Sequence, residues 1–277
     1  MVNTADSPVI RADVPGTFAH GVLAERHPAL IRQVREATPY PPAARRALDA
    51  LLAEITQEGV APLPPDAPDA PRWDAWGASA YYGKPWFELP FLWAESYFYR
   101  RLLGAVGHFT PGPWLGLDPF APFKDAELHG SAVDDELAAL DAQSGTGRGG
   151  RSDGRPDDRE ADALLLAALW GNRADLGFRI TSGEAAAPGG ADRLVADDRD
   201  VLWGLLPPGA DADTAVHLIA DNAGRELVPD LLLLDHLLRT GRTGRAVLHV
   251  KPHPYYVSDA TVADTAAALR RLAAAGG

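Results

Sequence analysis

In the last third of the chain, short apolar runs alternate with longer segments of helical character. Residues 215–220 and 246–250 are apolar and contain β-branched side chains, which is typical of buried strands. Residues 226–239, between them, have the length and apolar spacing of a helix, and a further helix is predicted over 261–275. Strand, helix and strand at this spacing predict one βαβ unit, which is parallel and right-handed.

The first half of the chain shows helical periodicity instead. Apolar positions recur at helix-like intervals over 17–34, a proline pair opens a helix over 43–55, and another helix is predicted over 92–103 within an aromatic-rich segment. Most of these aromatic side chains are expected to form a core. Glu95 shares a helix face with Tyr99, and a carboxylate among such apolar neighbours needs a partner.

These patterns predict an α/β fold class with a helical N-terminal subdomain and a Rossmann-like parallel-sheet domain that contains the βαβ unit. The expected organisation is a disordered leader, the helical subdomain, a flexible loop and an α/β metal-binding domain, placed respectively at 1–15, 16–143, 144–159 and 160–277.

Two strands alone make a poor sheet, so further strands are expected from residues 176–206. Leu194-Val195 and residues 201–203 are the candidates. Residues 111–130, rich in proline and glycine, are expected to wrap the surface.

Composition narrows the possible partners. A formal net charge of −12 argues against nucleic acid or an anionic membrane, while leaving room for a small anion at a locally positive site. The absence of cysteine excludes disulfides and thiolate chemistry. With no run of roughly 18 apolar residues and no secretory pattern, a soluble cytoplasmic protein is expected. The sequence carries no signal for an oligomeric state.

Polar side chains follow both predicted strands. Asp221 and Asn222 come directly after the first strand, and Asp259 lies in the loop after the second. Ligands bind outside the carboxyl ends of parallel strands, so these side chains are expected to meet. Two carboxylates and an amide oxygen suit Mg²⁺ or Mn²⁺. As structural alternatives, Asp221 with Asn222, and Asp259, could simply cap the helices that follow them.

Beside this cluster the sequence places the parts of an anion site. Gly224 indicates a sharp turn or a close approach of the backbone, and a helix is expected to begin near Arg225 with its free N–H groups facing the pocket. Lys251 ends the second strand and can supply a positive charge. Its structural alternative is an ordinary solvated lysine. A cation, a helix N-terminus and a lysine together suit a transferring phosphoryl group.

Five segments carry a resemblance to a known family. They are Glu25-Arg26-His27-Pro28, residues 93–101, residues 169–176, residues 221–227 and residues 251–259. With them the chain resembles the metal-dependent damage-control phosphatases, also called domain of unknown function 89, in the branch described both as sugar-phosphate phosphatases and as acidic-residue methyltransferases.

The resemblance implies a metal held by Asp221, Asn222 and Asp259, with Mn²⁺, Ni²⁺, Co²⁺ or Mg²⁺ as the ion. It implies that Glu95 and Asn172 face the substrate pocket and that Lys251 belongs to the site. Asp221 would act as nucleophile or position the attacking water. Members of the family continue past the last residue of this sequence into a further phosphate-binding segment, so a C-terminally shortened member is expected.

Three functional hypotheses follow. The first is a metal-dependent phosphatase for small phosphorylated metabolites such as fructose 1-phosphate and fructose 6-phosphate. The second is a protein carboxyl methyltransferase using S-adenosylmethionine, against which stands the lack of a glycine-rich loop after a strand. The third is a shortened, non-catalytic protein that binds metal or metabolite.

Overall fold

The computed structural model describes residues 8–135, 137–138, 159–171 and 194–275. Within these ranges the chain is an α/β protein, helical in its first part and with a parallel two-stranded sheet in its second. The predicted fold class is therefore confirmed.

The chain divides into two compact units, Met1–Pro119 and Phe120–Gly277. The domain organisation expected from the sequence stays a prediction. Residues 1–7 of the expected leader and residues 144–158 of the expected loop lie outside the described residues.

The first unit is built from helices. They are α1 (Phe18–Gly21), a π-helical turn (Val22–Arg26), α2 (His27–Ala37), α3 (Pro42–Gln57), α4 (Ala70–Ala75) and α5 (Phe91–Ala105), with 3₁₀ turns at Ala78–Ala80 and Trp86–Glu88. Pro28 stands in the first turn of α2 and Pro42 opens α3. Proline is tolerated there because those N–H groups have no partner within the helix.

Aromatic side chains form the core of the first unit, as the sequence predicts. Trp86 and Tyr97 are fully buried, and the Trp93 and Tyr97 rings stack with centroids 4.8 Å apart. The Trp73 and Tyr97 rings pack edge to face, with centroids 5.0 Å apart. Such aromatic pairs contribute about 0.5–1.5 kcal/mol beyond the burial of their area.

The second unit contains the sheet. Its elements are α6 (Ala121–Leu128), α7 (Arg159–Trp170), α8 (Arg199–Leu205), β1 (Ala215–Ile219), α9 (Leu227–Arg239), β2 (Arg245–His249) and α10 (Val262–Ala275). The strands pair in parallel, with Ala215 opposite Arg245 and Ile219 opposite His249. The predicted strand, helix and strand are thus present.

The expectation of further strands at two places in this unit is wrong. Residues 201–203 belong to α8 and Leu194-Val195 is irregular, so neither adds a strand to the described sheet. A short apolar run fits either period, and Trp203 is buried in a cluster with α7 and α9, which favours the helix. Within residues 111–130, which are expected to wrap the surface, Ala121–Leu128 form α6, whose proline stands in its first turn.

Helix α9 supplies apolar side chains to two cores. Leu227 and Val228 pack in one cluster with Ala220 and Ala260, while Leu233 and Leu237 join the cluster around Trp203. Fully burying one such leucine or valine stabilises by about 1.5–3 kcal/mol, so α9 fixes where the ends of the strands lie. None of the described helices is long and apolar enough to cross a membrane.

Candidate metal and phosphate site

The backbone beyond the two strands brings the predicted site residues together. The Ala260 N–H donates to the Asp221 carbonyl at 2.8 Å, and the Ala260 carbonyl accepts from the Lys251 N–H at 2.9 Å. Ala260 therefore links the ends of β1 and β2. The Ala223 N–H also donates to the Ser258 carbonyl at 2.7 Å. Backbone hydrogen bonds thus join the loop after β2 to the residues that follow β1 and β2.

One ammonium group lies between two carboxylates at this place. Lys251 Nζ is 2.9 Å from Asp221 Oδ1 and 3.5 Å from Asp259 Oδ1. The two carboxylate oxygens are consequently no farther apart than the sum of these distances. The Asp259 side chain is 3% exposed, whereas Asp221 is 61% exposed and Lys251 34% exposed. The site thus has a buried wall and an open side.

The electrostatics follow from this geometry. Burial raises the pKa of Asp259, and the charge of Asp221 acts in the same direction, against the Tyr256 N–H bond and the charge of Lys251. For Lys251, burial acts to lower the pKa, but the hydrogen bond to Asp221 and the charges of both carboxylates outweigh it and raise the pKa. The lysine is held protonated by the two carboxylates.

Hydrogen bonds orient the amide of Asn222. Its Oδ1 accepts from Ser258 Oγ at 2.7 Å, and its Nδ2 donates to Glu226 Oε2 at 2.8 Å. Because a carbonyl oxygen has two lone pairs, Oδ1 can accept a second interaction. Asp259 is oriented similarly, since its Oδ2 accepts from the Tyr256 N–H at 3.1 Å.

Gly224 makes the sharp turn that the sequence predicts. Its φ is +67°, in the left-handed region, and a Cβ at this position would collide with the carboxylate of Glu127. The backbone therefore comes close to an acidic side chain from α6. The helix that was expected to begin near Arg225 begins at Leu227. A role for Gly224 in binding substrate stays a prediction.

The structural alternatives can be judged from the caps. Helix α10 is capped by Thr261 and Asp264, since Asp264 Oδ2 accepts from the Thr261 N–H at 2.8 Å and from Thr261 Oγ1 at 2.7 Å. Asp259 precedes this cap and points to Lys251. Asn222 bonds to the side chains of Ser258 and Glu226. Asn222 and Asp259 therefore belong to a cluster of side chains at the strand ends.

Two further residues were predicted for the substrate pocket. Glu95 is in α5 of the first unit, where burial raises its pKa and the charge of Arg26 acts against that rise. Asn172 lies outside the described residues. The roles of both in a substrate pocket stay predictions.

Sequence reasoning missed the residues of α6 that reach the site. Lys124 contacts the loop that carries Asp259, and Glu127 lies against Gly224. The signal that could have revealed α6 is Pro122, which is well placed in the first turn of a helix. That signal would have given the helix and not its contacts.

Comparison with known proteins shows the family of the chain. The model of the damage-control phosphatase ARMT1-like domain matches residues 22–276. The chain belongs to the ARMT1-like damage-control phosphatase family. The match includes Asp221, Asn222, Lys251 and Asp259.

Individual relatives are similar to the chain over about two thirds of its length. Damage-control phosphatase ARMT1 of Danio rerio is 28% identical over 203 residues, which cover 69% of this chain and 45% of the relative. The protein of the same name from Rattus norvegicus is 31% identical over 206 residues, 66% of this chain and 44% of the relative. The Homo sapiens protein is 29% identical over 194 residues, 65% and 43% respectively. The match thus spans less than half the length of these ARMT1-like relatives.

Proposed function

We propose that this chain is a metal-dependent phosphatase that hydrolyses small phosphorylated metabolites. The observation that carries the proposal is the sharing of one ammonium group, that of Lys251, between the carboxylates of Asp221 and Asp259. The family to which the chain belongs supports the phosphatase class. The net charge of −12 argues against nucleic acid as the partner.

The donor set fits a hard divalent cation. Asp221, Asn222 and Asp259 offer two carboxylates and an amide oxygen, and the ammonium of Lys251 demonstrates that both carboxylates can face one positive charge. Among the described residues, no three histidine, aspartate or glutamate side chains gather as a metal cluster. Such a site suits Mg²⁺ or Mn²⁺, which are bound by one or two carboxylates together with water and substrate oxygens. Ni²⁺ and Co²⁺ are the other ions we propose.

The chain's own residues supply the rest of the chemistry. Asp221 is exposed to solvent and acts as nucleophile or orients the attacking water towards phosphorus. In the net reaction the water oxygen bonds to phosphorus and the ester P–O bond breaks. The leaving oxygen takes a proton from water and departs as an alcohol. Lys251, one third exposed, can turn its ammonium to a phosphate oxygen. Asp259 is fixed by burial and by the Tyr256 N–H. A bound cation would neutralise charge on the phosphoryl oxygens.

The substrate we propose is a sugar phosphate, with fructose 1-phosphate and fructose 6-phosphate as test compounds. We propose that Glu95, Asn172 and Gly224 take part in binding it, together with Lys251.

The test is phosphate release by the purified protein with Mn²⁺ from both fructose phosphates and from an aryl phosphate. We expect release that is lost in Asp221→Ala and Asp259→Ala and retained in Asp235→Ala, which removes an exposed carboxylate from α9. Mn²⁺ binding without any release would overturn the phosphatase and leave a metal-binding protein. Transfer of a labelled methyl group from S-adenosylmethionine, without release, would favour the methyltransferase.

A further inference from the structure

A buried lysine outside the proposed catalytic set contacts the loop that carries Asp259. Lys124, on α6, has a side chain only 3% exposed. Its Nζ donates to the Asp259 carbonyl at 2.6 Å and to Asp264 Oδ2 at 3.0 Å. A buried ammonium group is retained only where acceptors compensate for its lost hydration, so these bonds are strong constraints on the loop.

The bonds from Lys124 to Asp264 and to the Asp259 carbonyl constrain different parts of the structure. Asp264 also accepts from the N–H and the hydroxyl of Thr261, and so belongs to the cap of α10. This branch ties α6 to the beginning of that helix. The Asp259 carbonyl, by contrast, belongs to the peptide group that joins Asp259 to Ala260.

That peptide group is held at both of its polar ends. Its carbonyl accepts from Lys124 at 2.6 Å, and its N–H, which is that of Ala260, donates to the Asp221 carbonyl at 2.8 Å. Holding both ends fixes the plane of the peptide. The peptide group before Asp259 is held as well, because the Ser258 carbonyl accepts from the Ala223 N–H at 2.7 Å. The two peptide planes together set the direction in which the Cα–Cβ bond of Asp259 leaves the backbone, and the carboxylate lies near Lys251.

We propose that Lys124 is a positioning residue for the metal site. It orients the Asp259–Ala260 peptide so that the Asp259 carboxylate is placed for a shared cation before that cation binds. The inference rests on the proposed function and adds to it a residue 135 positions from Asp259 in the chain, which acts through the Asp259 backbone.

The experiment separates the two bonds of Lys124. Lys124→Met removes both, and Lys124→Met combined with Asp264→Asn removes both together with the negative charge that Lys124 compensates. Asp264→Asn alone keeps the bond to the Asp259 carbonyl. Lys84→Met, at an exposed lysine of the first unit, is the matched control. Mn²⁺ affinity is measured by calorimetry well below each melting temperature, with amide exchange at Ala260 as a second readout.

We expect both variants that lack Lys124 to bind Mn²⁺ about 10- to 100-fold more weakly, the usual loss when a supporting residue of a metal site is removed. Exchange at Ala260 should accelerate in the same two variants. Asp264→Asn and Lys84→Met should stay within about threefold of wild type, a change well below that loss.

Two failures are distinguishable. If the folded double variant binds Mn²⁺ within threefold of wild type, Lys124 has only a structural role and this inference is overturned while the proposed function stands. If wild type itself binds no Mn²⁺, the proposed function is overturned and the inference with it.

Discussion

Buried charge is used differently in the two units. In the first, Arg101 and Glu54 form a two-bond pair at 2.7 and 3.0 Å, with side chains 19% and 7% exposed. In the second, one ammonium serves both Asp221 and Asp259, and Asp221 is largely exposed. The charges of Arg101 and Glu54 balance each other, whereas the two carboxylates around Lys251 carry more charge than the one ammonium group. Unequal charge together with exposure distinguishes the candidate site from the pair in the first unit.

The largest effect is expected from breaking the balanced pair. Glu54→Ala leaves Arg101 without its carboxylate and the Ala61 N–H without an acceptor. Removing one partner of a buried pair costs about 3–5 kcal/mol of unfolding free energy. Urea unfolding measures this loss.

The same helix provides the control for Glu54. Asp49 pairs with Arg35 at 2.7 Å, but their side chains are 48% and 43% exposed. Asp49→Ala should cost less than about 1 kcal/mol, because exposed pairs contribute little. Equal losses in the two variants would contradict the distinction between buried and exposed pairs.

Removing the charge of Asp230, a buried carboxylate in the second unit, should stabilise the protein, whereas removing that of Glu54 destabilises it. Burial, and then the charge of Glu226, raise the pKa of Asp230 to about 7 from 3.8. A raised folded-state pKa gives stability that is fully present below about pH 4 and is lost as pH rises through 7. The unfolding free energy of Asp230→Asn should therefore exceed that of wild type by roughly 2–4 kcal/mol at pH 8.

The pH profile tests the cause. The gap between Asp230→Asn and wild type should close as pH falls from 8 to 4, as followed by urea unfolding at several pH values. Asp235→Asn, at an exposed position on the same helix, is the matched control. A wild-type stability that is flat from pH 4 to 8 would exclude the raised pKa.

The turn of the site should tolerate little change. Gly224→Ala places a Cβ at φ +67° and forces the Glu127 carboxylate to move. The left-handed conformation costs an L-residue roughly 1–2 kcal/mol, measured as unfolding free energy. Gly204→Ala, within α8 and with open space around it, should instead be neutral or stabilise. Stabilisation by both changes would refute the strain at Gly224.

The elements of the sheet were predictable because local pattern decides them. The apolar runs place β1 and β2 within one residue of the observed ends, and the meeting of Asp221 with Asp259 follows from parallel strands that end at one edge. Residues 201–203 were not predictable, because three apolar side chains fit a strand or a helix, and Trp203 is helical through its packing.

Contacts across the chain explain what the sequence did not reveal. Lys124 reaches Asp259 from 135 residues away, and no local pattern encodes that pairing. Glu127 against Gly224 is a similar case, since the glycine predicted a close approach and not its partner. The sequence predicted that the acidic side chains of the candidate site lie together, and it did not predict the side chains of α6 that contact them.

The smallest change in unfolding free energy without metal is expected from a substitution at Asp221, which pairs with Lys251. Asp221→Asn removes a charge from a pair that is 61% and 34% exposed, so unfolding free energy without metal should change by less than about 1 kcal/mol. Added Mn²⁺ at 100 times its dissociation constant should stabilise wild type by about 2.7 kcal/mol and the variant far less. Thermal unfolding with and without Mn²⁺ measures both. If the variant gains as much from Mn²⁺ as wild type does, Asp221 is no ligand, and its contact with Lys251 would be an exposed counterpart of the pair between Arg101 and Glu54.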